Sequence, residues 1–128
     1  MKTFLQQSVN MLLRIRIQAN GNMAEIDFGL EDIQYSDPAY RHLFESKKIH
    51  VPIHIIEGLI EYLKHGNPFN YPYRVEFRDV DKSYLIFFYY GEKMIFRSFN
   101  RINSRVEEFE FDDMDKMRLA LVLSSALS

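Results

Sequence analysis

Residues 11–30 alternate about an Asn20-Gly21 pair, and this pattern constrains the chain more than any other feature. Leu13, Ile15 and Ile17 fall on one face of an extended Met11–Gln18 segment, with Leu12, Arg14, Arg16 and Gln18 on the other. Ala24, Ile26 and Phe28 oppose Glu25 and Asp27 in the same way between Ala24 and Leu30. Strand side chains alternate between faces with a period of two, so both stretches read as half-buried strands. Asn-Gly favours the two-residue type I′ turn, in which both central residues need positive φ. Centring the turn on Asn20 and Gly21 sets Ala19 against Asn22, Arg16 against Glu25, Arg14 against Asp27, Ile15 against Ile26 and Leu13 against Phe28. Opposite charges then meet on one face and apolar groups on the other, each pair contributing about 0.2–1 kcal/mol. A slip of one residue would set apolar groups against charges.

Further along, Ser36-Asp37-Pro38 has the form of a helix start, with Asp37 as cap and Pro38 in the first turn, predicting a short helix to about Glu45 that Lys47-Lys48 ends. Pro52 opens a second helix, in which Ile53, Ile56, Leu59, Ile60 and Leu63 recur at helical spacing until Gly66-Asn67-Pro68. Asn67–Pro72, with two prolines and two aromatics, is expected to be an ordered loop. From Tyr73 the period returns to two: Tyr73, Val75 and Phe77 oppose Arg74, Glu76 and Arg78. Tyr84–Tyr90 is apolar or aromatic on both faces, as in a covered central strand or an interface. Gly91-Glu92 suits a type II′ turn, and Lys93–Phe99 and Arg105–Phe111 follow as strands. Asp112 or Asp113 caps a last helix to about Leu127, whose Met114, Met117, Leu119, Leu121, Val122, Leu123 and Leu127 surround it almost completely. Such a helix, like Tyr84–Tyr90, asks for cover on more than one side, which predicts association, most simply as a homodimer. The order β-β-α-α-β-β-β-β-α defines an α+β domain over residues 1–128: antiparallel sheet from an N-terminal hairpin and a C-terminal four-strand meander, two central helices and one C-terminal helix.

Composition limits the functions open to such a domain. A hydrophobic fraction of 47% with 27% charged residues belongs to a globular chain with a core. The absence of cysteine removes disulfides, thiolate metal sites and a cysteine nucleophile, and fits a cytoplasmic setting. No apolar run approaches the roughly 20 residues of a spanning helix, and Gln6, Gln7, Ser8 and Asn10 interrupt any leader-like stretch, so no membrane partner is expected. A formal charge of −2 argues against a general nucleic-acid coat. With only five glycines, the chain carries no phosphate loop, dinucleotide fingerprint or nucleophile elbow. No catalytic constellation emerges, and no cofactor is implied.

Three groups of residues remain as candidate sites. His54, Glu57, Glu61 and His65, with His50 nearby, make a stripe chemically suited to zinc, but the same stripe is the solvent face opposite Ile56, Leu59, Ile60 and Leu63, so no metal is expected. Tyr84, Tyr90, Lys93, Arg97, Arg101 and Arg105 combine aromatic and basic groups in the C-terminal strands, the combination that stacks bases and follows phosphates. Glu107, Glu108, Glu110, Asp112, Asp113 and Asp115 concentrate negative charge that would attract a basic protein partner.

In element order, a curved four-strand meander closed by a C-terminal helix resembles the Whirly and PC4-like single-strand binders, over most of the chain. That resemblance implies nucleic-acid binding on the sheet. In size, charge and lack of catalytic motifs the chain is similar to small bacterial immunity proteins of polymorphic toxin systems, which implies a non-catalytic inhibitor. The residues therefore support two expectations: a cytoplasmic protein neutralising a basic nuclease toxin through the acidic run, and, alternatively, a single-stranded nucleic-acid binder using the aromatic and basic strands.

Overall fold

A computed structural model describes residues 2–7, 11–32, 42–66, 73–78, 84–90, 93–100 and 104–128. Strands β1 (Lys2–Gln7), β2 (Met11–Asn20), β3 (Met23–Asp32) and β4 (His42–Pro52) form one antiparallel meander, followed by helix α1 (Ile53–His65). Strands β5 (Tyr73–Arg78), β6 (Tyr84–Tyr90), β7 (Lys93–Asn100) and β8 (Arg105–Phe111) form a second meander, followed by helix α2 (Asp113–Leu127). The class is α+β with antiparallel sheets, as the sequence predicts, but its described part holds two helices rather than three. The N-terminal hairpin is the centre of a complete sheet.

The additional strands are β1 and β4. Phe4 on β1 pairs with Ile15 and is buried, while Leu5 beside it is exposed. On β4, Ile49 and Val51 are buried and Lys48 and His50 exposed, an alternation that pairing with β3 imposes. The helix expected from Pro38 to Glu45 is therefore corrected: residues 42–45 belong to β4, and residues 38–41 lie outside the described set. Over residues 42–45 the open edge of β3, whose backbone groups need partners, draws the chain into the sheet. The ladder shifts between Leu30 and Glu31, the mark of a bulge.

The hairpin exists, but its register is corrected by two residues. Asn20 pairs with Met23, so the turn centres on Gly21 and Asn22, and Arg16 faces Asp27 instead of Glu25. Gly21 has a φ of 66° and Asn22 is not in the positive-φ region, the backbone pattern of a type II′ turn with Gly first. A two-residue shift leaves each side chain on its face, so alternation alone does not separate the two registers. The Asn22 carbonyl accepts from the Ile53 N–H at 3.1 Å, which ties this turn to the start of α1. Glu25 instead meets Lys48 and His50 from β4, each at 3.4 Å.

Helix α1 begins after extended Pro52 and ends at Gly66, which has a φ of 73° and donates its N–H to the Tyr62 carbonyl. Its buried stripe is Ile56, Leu59, Ile60 and Leu63. A reciprocal capping box opens α2: the Asp115 N–H donates to Asp112 Oδ1 at 2.8 Å and the Asp112 N–H to Asp115 Oδ2 at 3.1 Å. Both sheets turn one face to a shared core. Phe28 lies 5.9 Å from Phe96 and Phe4 lies 5.4 Å from Phe111, ring centre to ring centre, each pair joining the first sheet to the second. The inner face of the second sheet carries Phe77, Met94, Phe96, Phe109 and Phe111, all buried, together with buried Ser98. Its other face looks away from that core. The Asn67–Pro72 loop and the Gly91-Glu92 turn lie outside the described residues.

Candidate functional site

The outer face of the second sheet begins with β5. Val75 and Phe77 turn toward the core, so the intervening Arg74, Glu76 and Arg78 share the opposite face. Arg74 Nη2 lies 3.5 Å from Glu76 Oε2, and Arg78 Nη2 donates to Glu76 Oε1 at 2.9 Å. On β7 and β8, Arg97 and Glu108 are direct cross-strand partners, with the guanidinium Nε and Nη2 at 3.0 and 2.8 Å from Glu108 Oε1. Lys93 Nζ approaches Glu110 Oε1 at 3.5 Å. Phe99 stands opposite Val106 on the same face.

These side chains border an open groove of about 630 Å³, lined by Arg74, Glu76, Arg78, Arg97, Phe99, Val106 and Glu108. The groove spans the sheet, since Ile86 of β6 pairs with Glu76 on one side and with Arg97 on the other. Exposed ion pairs of this kind contribute only about 0–1 kcal/mol each to stability, so their main effect is to fix where the guanidinium groups point. Three guanidinium groups beside an aromatic ring combine the cationic donors that suit phosphate with the kind of surface on which a base stacks.

Of the basic and aromatic residues singled out from sequence, Lys93 and Arg97 lie on this face. Tyr84 pairs with Arg78 and Phe99, and Tyr90 with Lys93, which places both at register positions of the same ladder. Arg105 pairs with Asn100 at the far end of the sheet, and Arg101 lies outside the described residues. Sequence reasoning missed Arg74, Glu76 and Arg78 as a site. The Arg-x-Glu-x-Arg alternation was visible, but only strand order brings it across from Arg97.

The acidic run is divided among several tasks. Glu108 and Glu110 face Arg97 and Lys93, whereas Glu107 pairs in register with Ser98 of the inner face. Asp112 and Asp115 close the capping box, and Asp113 meets Lys116 at 2.9 Å. Asp115 also accepts from Gln6 and Arg118. Burial raises the Asp115 pKa, but the hydrogen bonds from Arg118, the Asp112 N–H and Gln6, with the Arg118 charge, outweigh it and leave the carboxyl below its ordinary value. In the histidine stripe, His65 meets Glu61 at 3.4 Å, while His54 and Glu57 are exposed. Among the described residues no group of three or more His, Asp or Glu is placed to hold a metal ion. No helix among them is long and apolar enough to cross a membrane.

No protein family matches the chain, and no curated protein matches it in sequence. Among solved structures it is similar to the crystal structures of Trypanosoma bruciei MRP1/MRP2, with a TM-score of 0.64 and 14% identity, over 98% of this chain and 83% of that one. At that identity the likeness is one of fold: an α+β architecture of antiparallel sheet and helices.

Proposed function

We propose that this protein binds single-stranded nucleic acid, without catalysis, across the outer face of its second sheet. The observation that carries the reading is the groove in which Arg74, Arg78 and Arg97 stand with Phe99 on one open surface. A duplex keeps its bases stacked inside, whereas a single strand presents phosphates to the guanidinium groups and base faces to the ring. The meander β5–β8 closed by α2 keeps the element order in which the sequence resembles the Whirly and PC4-like single-strand binders, and this agrees with the reading at the level of architecture. The formal charge of −2 is compatible with it because local potential, not the total, attracts a ligand.

The other reading, an inhibitor meeting a basic nuclease through Glu107 to Asp115, draws less support. Four of those carboxylates are engaged with Lys93, Arg97, Lys116 and Arg118. Filter binding of a radiolabelled single-stranded oligonucleotide to wild-type protein and to Arg97→Glu separates the two readings. The proposal expects retention by the wild type and at least about tenfold weaker binding by the variant, as befits loss of a charge-assisted phosphate contact. Equal retention by both proteins, or none by either, overturns it.

A further inference from the structure

On a surface that holds phosphates, a fixed carboxylate needs a purpose of its own. Glu76 lies between Arg74 and Arg78, each guanidinium approaching a different carboxylate oxygen. Its side chain is 24% exposed, while Arg74 and Arg78 are 67% and 56% exposed, so the carboxylate is the least accessible member of the trio. Glu108 differs: Arg97 places both its Nε and its Nη2 on Oε1, which makes Glu108 an anchor for that guanidinium. A carboxylate has about four lone-pair sites, so two guanidinium contacts leave further accepting capacity on Glu76, which lines the groove.

The electrostatics sort what can reach that carboxylate. Phosphates are drawn to the more exposed guanidinium groups and repelled by the carboxylate between them. A base edge that reaches Glu76 must donate hydrogen bonds. Guanine offers two parallel donors on its Watson–Crick edge, N1–H and the 2-amino group, matching the two oxygens of a carboxylate. Adenine and cytosine offer a single amino donor and thymine a single N–H, so each makes one contact where guanine makes two, and on the Watson–Crick edge each sets an acceptor beside its donor.

From this arrangement we infer that Glu76 is a specificity-determining residue that selects guanine in the single strand bound on the second sheet. The inference rests on the proposed nucleic-acid function. Arg74, Arg78 and Arg97 hold the neighbouring phosphates, Phe99 stacks an adjacent base, and Glu76 accepts from guanine N1–H and the 2-amino group.

Fluorescence anisotropy with oligodeoxythymidine carrying one central deoxyguanosine, deoxyinosine or no substitution tests this on the intact protein. The guanine probe should bind at least about tenfold more tightly than plain oligodeoxythymidine, the discrimination of one bidentate contact. Inosine, which lacks the 2-amino group, should lose about threefold to tenfold of that gain. Glu76→Gln should bring the guanine probe and plain oligodeoxythymidine to equal affinity. Equal binding of all three probes to wild-type protein overturns the inference and leaves the parent proposal intact, as does a guanine preference that survives Glu76→Gln. If no probe binds, the parent proposal fails and takes this one with it. Equal binding of the guanine and inosine probes to wild-type protein overturns the inference even if the variant does not fold.

Discussion

Gln6 donates its side-chain amide to the Asp115 carboxylate at 3.0 Å, joining residues 109 positions apart. The same carboxylate accepts the Asp112 N–H in the capping box of α2 and a hydrogen bond from Arg118 Nη2 at 2.8 Å. Arg118 in turn donates to the Leu5 carbonyl at 3.1 Å and to Gln6 Oε1 at 3.0 Å, and its guanidinium sits 5.0 Å from the Phe4 ring centre. Edge strand β1 is therefore fastened to α2 by a polar clasp beside a buried ring.

Breaking the clasp should be costly for a partly exposed site. Asp115→Ala removes the acceptor of the Asp112 N–H, half of the capping box, and one acceptor each from Gln6 and Arg118. The expected loss is about 1–3 kcal/mol. Urea unfolding read by circular dichroism checks it, as a lower midpoint with an unchanged slope.

Acid should weaken the same contact. The Asp115 pKa is lowered in the folded protein, so the unfolded chain takes up the proton first as pH falls. The contribution is then complete above the ordinary aspartate value of about 3.9 and disappears as pH drops through the lower folded value. Thermal melting should show this part of the stability steady from neutral pH to about pH 5 and falling below about pH 4, with a smaller acid loss in Asp115→Asn.

At the first hairpin, Gly21→Ala should destabilise the fold by about 1 kcal/mol or more, since alanine is strained at a φ of 66°. A Cβ there meets nothing within 4 Å, so the cost is conformational and not steric crowding by neighbours. Chemical denaturation of Gly21→Ala beside Asn20→Ala distinguishes the corrected turn from one centred on Asn20-Gly21. The first substitution should cost clearly more.

Helix α2 presents Met114, Met117 and Leu121 at 72%, 52% and 68% exposure, spaced to form one stripe. Burial of Leu119, Ala120 and Leu123 accounts for the opposite side. Self-association through the exposed stripe should appear in sedimentation equilibrium as a mass above that of one chain, and Leu121→Lys should return it to the monomer. A wild-type monomer at high protein concentration would contradict this.

What sequence patterning revealed was faces, and what it left open was partners. Leu13, Ile15, Ile17, Ala24, Ile26 and Phe28 are all buried, as their alternation requires. Yet Arg16 opposes Asp27, because complementary charges recur every second residue and support either register. Strand β4 was hidden behind the helix-start signal of Ser36-Asp37-Pro38, and β1 is too short and polar to announce itself with Phe4 alone. Pro52 and Gly66 marked the ends of α1 because their φ preferences act locally. At the groove, Lys93 and Arg97 were legible as a basic strand face. Arg74, Glu76 and Arg78 joined them only through pairing with β6, a non-local fact that no local motif encodes.

The central claim is that the outer face of the second sheet holds a single strand by its phosphates. Fluorescence anisotropy of a labelled single-stranded oligonucleotide, titrated at several salt concentrations, tests it most directly. The account predicts saturable binding whose log affinity falls linearly with log salt, with a slope of about −0.7 for each phosphate neutralised. Removing Arg74 and Arg97 together should flatten that slope by the equivalent of about two phosphates. Absence of binding at low salt, or a slope that the double variant leaves unchanged, would contradict the account.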